Sequence, residues 1–523
     1  MERKWWTLIA VSVAIFMLLL DITVVNVALP KIQRSLHSSF SDLQWVVNAY
    51  SLTLAAFLLT AGSVSDLIGR KRVFVAGLVV FTTASAVCGL SSSPLMLNLA
   101  RAVQGTGGAM MFATSLALIA QAFHGKERGT AFGVFGAVTG AAVAVGPVLG
   151  GVITTGIGWQ WIFFVNVPIG AIAVFVTLTQ VADSRDPNAT GVDWAGLATF
   201  SASLFLLVFA LVQGNEKGWG STEIVALLVV AAALLVAFVL VEHLQSRPML
   251  DLALFRRPAF AGASIVAFAI SASFFAMFLY LTLYIQDVLG YSPLQAGLRF
   301  LPVTLLSFAV APIAGKLTVR VPVRLLLGAG LALAGIGLLL MTGIDARSGW
   351  TALIPGFLLG GAGIGMINPP LASTAIGVVP NERSGMASGI NSTFRQVGIA
   401  TGIAGLGAIF QHDVTKSTHV TLAASGHAPE VVAAAHGQLA TILESGEVAH
   451  FARTLPAAAH TALVHAYEVG FTGAFTTIAL IAALVALVGG ALAFALVRGR
   501  DFVSSAHEPQ TPAPAEATSV VAG

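Results

Sequence analysis

Charge is scarce along this chain, and its apolar residues come in long uninterrupted runs. Only 9% of the 523 residues are Asp, Glu, Lys or Arg, while 57% are hydrophobic. A water-soluble domain carries roughly 25% charged residues, so most of this chain's surface has no means of facing water. A bilayer core about 30 Å thick is crossed by roughly 20 apolar residues in a helix. Runs of that kind occur near 5–29, 43–62, 73–90, 95–122, 129–154, 161–181, 193–212, 222–241, 260–285, 293–315, 322–342, 351–378, 385–410 and 470–497. Backbone polar groups in lipid must be satisfied within the protein, which for segments of this length means helices. The expected fold is therefore all-α: a polytopic membrane protein with fourteen spans. The first run is too long for a signal peptide and lacks a small-residue cleavage site, so it is expected to be kept as a span.

Positive charge sets the orientation. With the N-terminus inside, seventeen of the 26 Lys and Arg fall in inside segments and seven in outside segments, leaving Arg101 and Arg395 within helices. Both termini are therefore expected on the cytoplasmic side. The single cysteine, Cys88, lies in an apolar run and rules out a disulfide framework or a cysteine metal site. Few lysines and many Ala and Gly suggest a GC-rich bacterial source, and hence a bacterial cytoplasmic membrane.

The chain repeats itself. Glu127-Arg128-Gly129 after the fourth run is echoed by Glu382-Arg383-Ser384 after the twelfth, and Gly62–Arg72 more faintly by Gly315–Arg324. An offset of eight helices is what two six-helix halves separated by an inserted pair would give. The halves are expected at 5–181 and 260–497, with the pair at 193–241. Parallel repeats of this type mark transporters with a substrate site between the halves. Residues 411–469 form a long external segment rich in Ala and His, where pieces such as 431–443 are expected as short amphipathic helices. The Pro-, Ala- and Ser-rich tail at 504–523 is expected to be a disordered cytoplasmic extension.

A few polar residues stand out against this background. Asp21 is the only acid deep inside a predicted span, and an ionised carboxylate there needs a partner, water or a proton. Burial disfavours a carboxylate and a nearby cation favours it. A group held between the two can bind and release a proton. At 1.5 Å per residue, Asp21 and Arg101 lie about 12 Å and about 10 Å below the outer ends of their helices. The two are expected to meet, either as a proton-coupling pair or as a static ion pair.

The segment Gly62, Asp66, Gly69, Arg70, Lys71 and Arg72 is expected in the loop between the second and third spans, with Asp66 at a helix N-terminus, where an anion is favoured. Gly146, Pro147, Gly150 and Gly151 combine a kink with exposed backbone for close helix contact; packing and gating are both open to them. Asn26, Gln104, Arg395 and Gln396 are candidates for lining a substrate cavity, with packing the equal alternative for Arg395. Asp287 and Glu242, near helix ends, are expected to be solvated. Phe274, Phe275, Met277 and Tyr280 fit either a cavity wall or packing. The external histidines are spaced too irregularly for a metal site. The Gly360–Gly365 run lies in a span with no strand before it, so it is not a nucleotide loop. No Walker-type sequence and no intramembrane nucleophile–base set is present, so neither a nucleotide, another cofactor nor an enzymatic activity is expected.

Several of these segments together resemble the major facilitator superfamily, specifically its fourteen-helix drug/proton antiporter branch. Leu20–Pro30 resembles the branch's first-helix signature, Gly62–Arg72 the superfamily's loop 2–3 motif, and Arg101–Gly107 the fourth-helix motif. Gly146–Gly151 resembles the antiporter motif of the fifth helix, and Trp159–Gly170 a further segment of the branch. Ala142 and Gln160 depart from that pattern. The resemblance implies two six-helix bundles with an inserted pair, alternating access, proton transfer at Asp21 and Arg101, and export rather than import. It implies protons and small hydrophobic or cationic molecules as partners, and no nucleic acid. The lack of an acid in the core of the second half points away from dications and toward monocationic, zwitterionic or neutral cargo. Export of a single self-made metabolite, and a non-transporting membrane sensor, are the other readings.

Overall fold

A computed structural model describes residues 2–123, 125–185, 191–245, 248–318, 320–379, 384–436, 439–444 and 448–498. The tail at 504–523 and the Glu382–Arg383 part of the repeat lie outside them. The described residues contain no strand. Fourteen long helices run through the molecule: α1 (Arg3–Leu36), α2 (Phe40–Ile68), α3 (Arg70–Gly89), α4 (Pro94–Ala122) and α5 (Gly125–Gly156). They continue with α6 (Trp161–Gln180), α7 (Trp194–Lys217), α8 (Thr222–Leu244), α9 (Pro258–Val288), α10 (Pro293–Leu317), α11 (Val323–Gly343) and α12 (Trp350–Ala375). The last two are α13 (Ser384–Ala424) and α14 (Ala457–Leu496). Both described ends of the chain fall on one face, called here the terminal face.

Thirteen of these helices are long and apolar enough to cross a membrane, and α13 is not among them. The difference from the expected fourteen has a local cause. Arg395, Gln396, Gln411 and His412 dilute the apolar content of α13. The helix is nevertheless surrounded by protein, packed against α2, α9 and α14, where Arg395 and Gln411 find polar partners on neighbouring helices.

Helices α1–α6 pack on one another, as do α9–α14, and the α7–α8 hairpin lies along α2 and α13. The outward faces are apolar: Val229, Val236, Leu240, Leu484 and Phe175 are exposed. This is the pattern expected of side chains that face hydrocarbon.

Several ends lie beyond the expected ones. Helix α1 runs through Pro30 to Leu36, carried by burial of Ile32 and Gln33, so Lys31 and Arg34 sit on helix rather than loop. Helices α13 and α14 each project well past their spans on the face opposite the termini. Three short helices join them there: Ala428–Ala434, Leu439–Glu444 and Val448–Ala452. Leu422, Val431, Leu439, Leu443, Val448, Leu455 and Leu463 form a separate small core. The segment at 411–469 is thus a folded helical cap.

The two halves meet at the end away from the termini. Gln286 Nε2 donates to the Val27 carbonyl at 2.7 Å, Gln44 Nε2 to the Ile403 carbonyl at 2.9 Å, and Leu294 N to Thr155 Oγ1 at 3.1 Å. Arg34 pairs with Asp287 at 3.0 Å, and the Asp287 side chain is only 8% exposed. Asp287 is therefore not solvated as expected: it is a buried tie across the seam. Glu242 is also buried, its carboxylate accepting the Leu250 N–H at 3.0 Å. Along α5 the seam parts toward the terminal face, where a Cβ on Gly133 or Gly136 would meet nothing within 4 Å, while between α2 and α13 a Cβ on Gly389 would still stand 2.9 Å from the Leu59 side chain. The cleft is closed at the opposite face and opens toward the terminal face on its α5 side.

Candidate functional site

The centre of the first half is an ionic cluster sealed in apolar surroundings. Asp21 on α1, Arg101 and Gln104 on α4 are 2%, 1% and 0% exposed. Arg101 Nη1 donates to Asp21 Oδ2 at 2.5 Å and to Gln104 Oε1 at 2.7 Å. Gln104 Nε2 closes the triangle on Asp21 Oδ1 at 3.0 Å. Arg101 Nε donates to the Val46 carbonyl at 3.1 Å, and its guanidinium lies 4.3 Å from the Tyr50 ring centre. Both carboxylate oxygens are thus hydrogen-bonded and the arginine's charge is balanced. A buried pair survives on such terms, whereas removing one partner costs about 3–5 kcal/mol.

The glycines of α4 make this possible. A Cβ on Gly105 would overlap the Tyr50 carbonyl of α2, and one on Gly107 would come within 2.5 Å of the Phe81 nitrogen of α3. Only glycine lets α4 press against both neighbours, which brings Arg101 to the depth of Asp21. Gln104 belongs to this cluster rather than to an open cavity wall as expected. Asn26 donates to the Ile22 carbonyl of its own helix at 3.1 Å.

The Gly-Pro stretch of α5 does two things at once. A Cβ on Gly146 would overlap Thr23, and one on Gly150 would lie 3.0 Å from the Val24 Cα, so both seat α5 on α1. Gly151 faces the other half: its Cβ would stand 2.6 Å from the Pro293 carbonyl oxygen and 2.7 Å from the Leu294 Cα of α10. From the other side, a Cβ on Gly297 of α10 would overlap the Pro147 carbonyl. The motif therefore packs one half and forms the seam between the two.

At the terminal face, residues 62–68 are the last turns of α2 rather than loop, and only Gly69 separates α2 from α3. Its φ of +117° is available to glycine at little cost. Asp66 does not cap a helix; it accepts from Arg70 at 2.9 Å. The capping carboxylate is Asp183, beyond α6, which accepts the Lys71 N–H at 3.2 Å and pairs with Arg72 at 3.3 Å. Lys71 Nζ donates to the Leu178 carbonyl at 2.9 Å and Arg70 N to the Ser184 carbonyl at 2.7 Å. The motif is a clamp from the α2–α3 turn onto the end of α6. Nothing in the sequence singled out Asp183, because the link spans more than a hundred residues.

In the second half, Arg395 and Gln396 are half-buried on α13. Arg395 Nη2 donates to Asn368 Oδ1 of α12 at 2.8 Å, and its guanidinium lies 5.9 Å from the Phe275 ring centre. Phe275 closes a π-helical turn of α9, Ser271–Phe275. Phe274, Met277 and Tyr280 are fully buried and belong to the core; Phe275 is partly open. Among the described residues no group of three or more His, Cys, Asp or Glu is arranged to hold a metal.

Comparison with known proteins adds the family. The multidrug resistance protein Stp of Mycobacterium tuberculosis (strain H37Rv) is 39% identical over 404 residues, covering 77% of this chain and 75% of that protein. The tetracenomycin C resistance and export protein of Streptomyces glaucescens is 31% identical over 492 residues, 93% of this chain and 91% of the relative. The puromycin resistance protein of Streptomyces alboniger is 36% identical over 432 residues, 82% and 85% of the two chains. A solved bacterial homolog of the human lysosomal transporter Spinster, inward-facing and occupied, superposes with a TM-score of 0.61 at 15% identity. It covers 95% of this chain and 98% of its own, a likeness of fold. The family model described as Major Facilitator Superfamily matches residues 11–403, and the chain belongs to that superfamily of membrane transporters.

Proposed function

We propose that this protein is a proton-coupled antiporter that exports lipophilic drugs or antibiotics from a bacterial cell by alternating access. The terminal face is the cytoplasmic one, as the positive charges in its loops favour, and the arrangement described is then inward-open. The observation that carries the proton-coupled reading is the Asp21–Arg101–Gln104 cluster: a deeply buried carboxylate with one balancing charge. Relatives named for multidrug resistance, tetracenomycin C export and puromycin resistance supply the substrate class.

In this reading Asp21 is the proton carrier. A proton arriving from outside converts the carboxylate to a carboxyl, and the protonated oxygen ceases to accept from Arg101. The pair loosens, α1 and α4 shift relative to one another, and the α5 glycines pass the change to the seam with α10. Rigid halves with two packed arrangements act as a switch rather than a spring. No nucleotide or cofactor takes part; the proton gradient supplies the energy. Dye efflux from cells expressing the protein tests this, with and without a protonophore. Collapse of efflux with the gradient is expected, and efflux indifferent to it overturns the proposal.

The names of two relatives, the tetracenomycin C protein and a probable actinorhodin transporter of Streptomyces coelicolor, favour a second reading: export of one compound made by the same cell. A panel of unrelated dyes and antibiotics separates the two, since a dedicated exporter moves one chemical class and ignores the rest.

A further inference from the structure

The cargo's chemistry is marked by an intramembrane cation that has no counter-ion among the described residues. Arg101 is matched by Asp21 and Arg34 by Asp287. Arg395 makes no ion pair with any carboxylate among the described residues; its polar side-chain partner is the neutral Asn368. It is half-buried on α13. The side of α13 given to α9 is marked by Gly398 and Gly402, which touch Phe268 and Ala272. The side given to α2 is marked by Gly407, which touches Gln44. On a helix of 3.6 residues per turn, Arg395 projects between those two directions. That is toward the cleft between the halves, not toward the α7 side marked by Val397, Ala400 and Ala404.

An isolated cation in a membrane interior is expensive and is retained where something answers it. A guanidinium has five N–H donors in a planar fork that matches a carboxylate two-pronged, and two of them can converge on the single oxygen of a phenolate. Among the described residues a single donor of Arg395 is used, on Asn368. The partly open Phe275 ring beside it offers an aromatic face to a flat cargo. We propose that Arg395, held by Asn368 and flanked by Phe275, binds the acidic group of a lipophilic organic anion, an aromatic carboxylate or ionised phenol. This rests on the exporter reading and narrows it, away from the cations and neutral compounds that the sequence favoured. It also fixes the electrical balance: one proton in against one monoanion out moves two charges across the membrane. Export of such cargo then responds to membrane potential as well as to the pH gradient.

The test uses three fluorescent probes on the full-length protein: a lipophilic xanthene carboxylate, its neutral methyl ester, and the monocation ethidium. Efflux from cells and equilibrium binding to detergent-purified protein are both measured, for the native protein, Arg395→Gln and Arg395→Lys. The native protein is expected to bind and export the carboxylate in preference to the ester. In Arg395→Gln the carboxylate-to-ester ratio falls about tenfold or more, as expected for loss of a charged hydrogen bond, with Arg395→Lys between the two. Ester binding by the variant reports that it is folded. Equal loss of all probes in Arg395→Gln, or an unchanged ratio, overturns the proposal. Proton-dependent export of ethidium and ester but not of the carboxylate overturns it while the exporter reading stands. Failure of the native protein to move any of the three overturns both.

Discussion

The contact between Gly151 and α10 exists only while the two halves are closed at the face opposite the termini, so a methyl group there penalises one state of the cycle. In Gly151→Ala the new Cβ would lie 2.6 Å from the Pro293 carbonyl oxygen and 2.7 Å from the Leu294 Cα, where ordinary contact begins at 3.4 Å. Both obstacles are backbone, so no side-chain rotation relieves them. Overpacking of this kind costs about 1–3 kcal/mol. Because the open state does not pay it, the equilibrium moves toward opening at that face by a factor of roughly 5–150. Spin labels on exposed Ile157 and Thr351, read by pulsed electron resonance, measure the separation of the halves at that end. The longer-distance population is expected to grow in Gly151→Ala. The control is Gly146→Ala, whose overlap is with Thr23 of α1 within the same half; it lowers stability without moving the distances. A distance distribution unchanged in Gly151→Ala, or shifted equally in both variants, refutes the assignment of this motif to the seam.

Outcomes at four further positions follow from named contacts. Asp183→Ala removes the acceptor of the Lys71 N–H at the start of α3 and is expected to lower thermal stability in detergent by about 0.5–2 kcal/mol. Arg72→Ala, which loses only an exposed partner, lowers it by about 0–1 kcal/mol. Glu242→Ala strands the Leu250 N–H and costs about 1–3 kcal/mol, while Glu242→Gln keeps an acceptor and is milder; melting curves distinguish them. Arg101→Lys replaces a fork that reaches Asp21, Gln104 and the Val46 carbonyl with a single ammonium. Protein that reaches the membrane but exports poorly is expected, scored by efflux against surface quantity.

The spans were legible in the sequence because each is an apolar run bounded by polar residues, a signal carried by the segment itself. Helix α13 tests the limit of that signal: it is enclosed by neighbouring helices that supply partners for Arg395 and Gln411, which no hydropathy of its own reveals. Helices α13 and α14 outrun their apolar runs for a related reason, since their ends are held by the small core of the cap rather than by lipid. The meeting of Asp21 with Arg101 was legible because only a few charges lie inside spans and simple depth arithmetic brings these two level. Partners that are not charged, or that lie in loops, were not legible. The Val46 carbonyl, the Tyr50 ring and Asn368 look like ordinary residues of their helices. Asp183 displaced Asp66 as the cap of α3 because tertiary contact, not adjacency, decides which carboxylate reaches an N–H. Asp287 and Glu242 sit at helix ends, where sequence suggests water; the seam and the Leu250 turn cover them instead.

Proton exchange at Asp21 is the most direct test of the central claim. In proteoliposomes carrying an internal pH indicator, substrate moving out down its gradient draws protons in, so the lumen is expected to acidify in step with transport by the native protein. Asp21→Asn, shown by gel filtration to be folded and by binding to hold substrate, is expected to show no such coupled proton movement and no gradient-driven export. Native rates of proton-driven export in Asp21→Asn would contradict the account, because the carboxyl that it makes the carrier would then be dispensable.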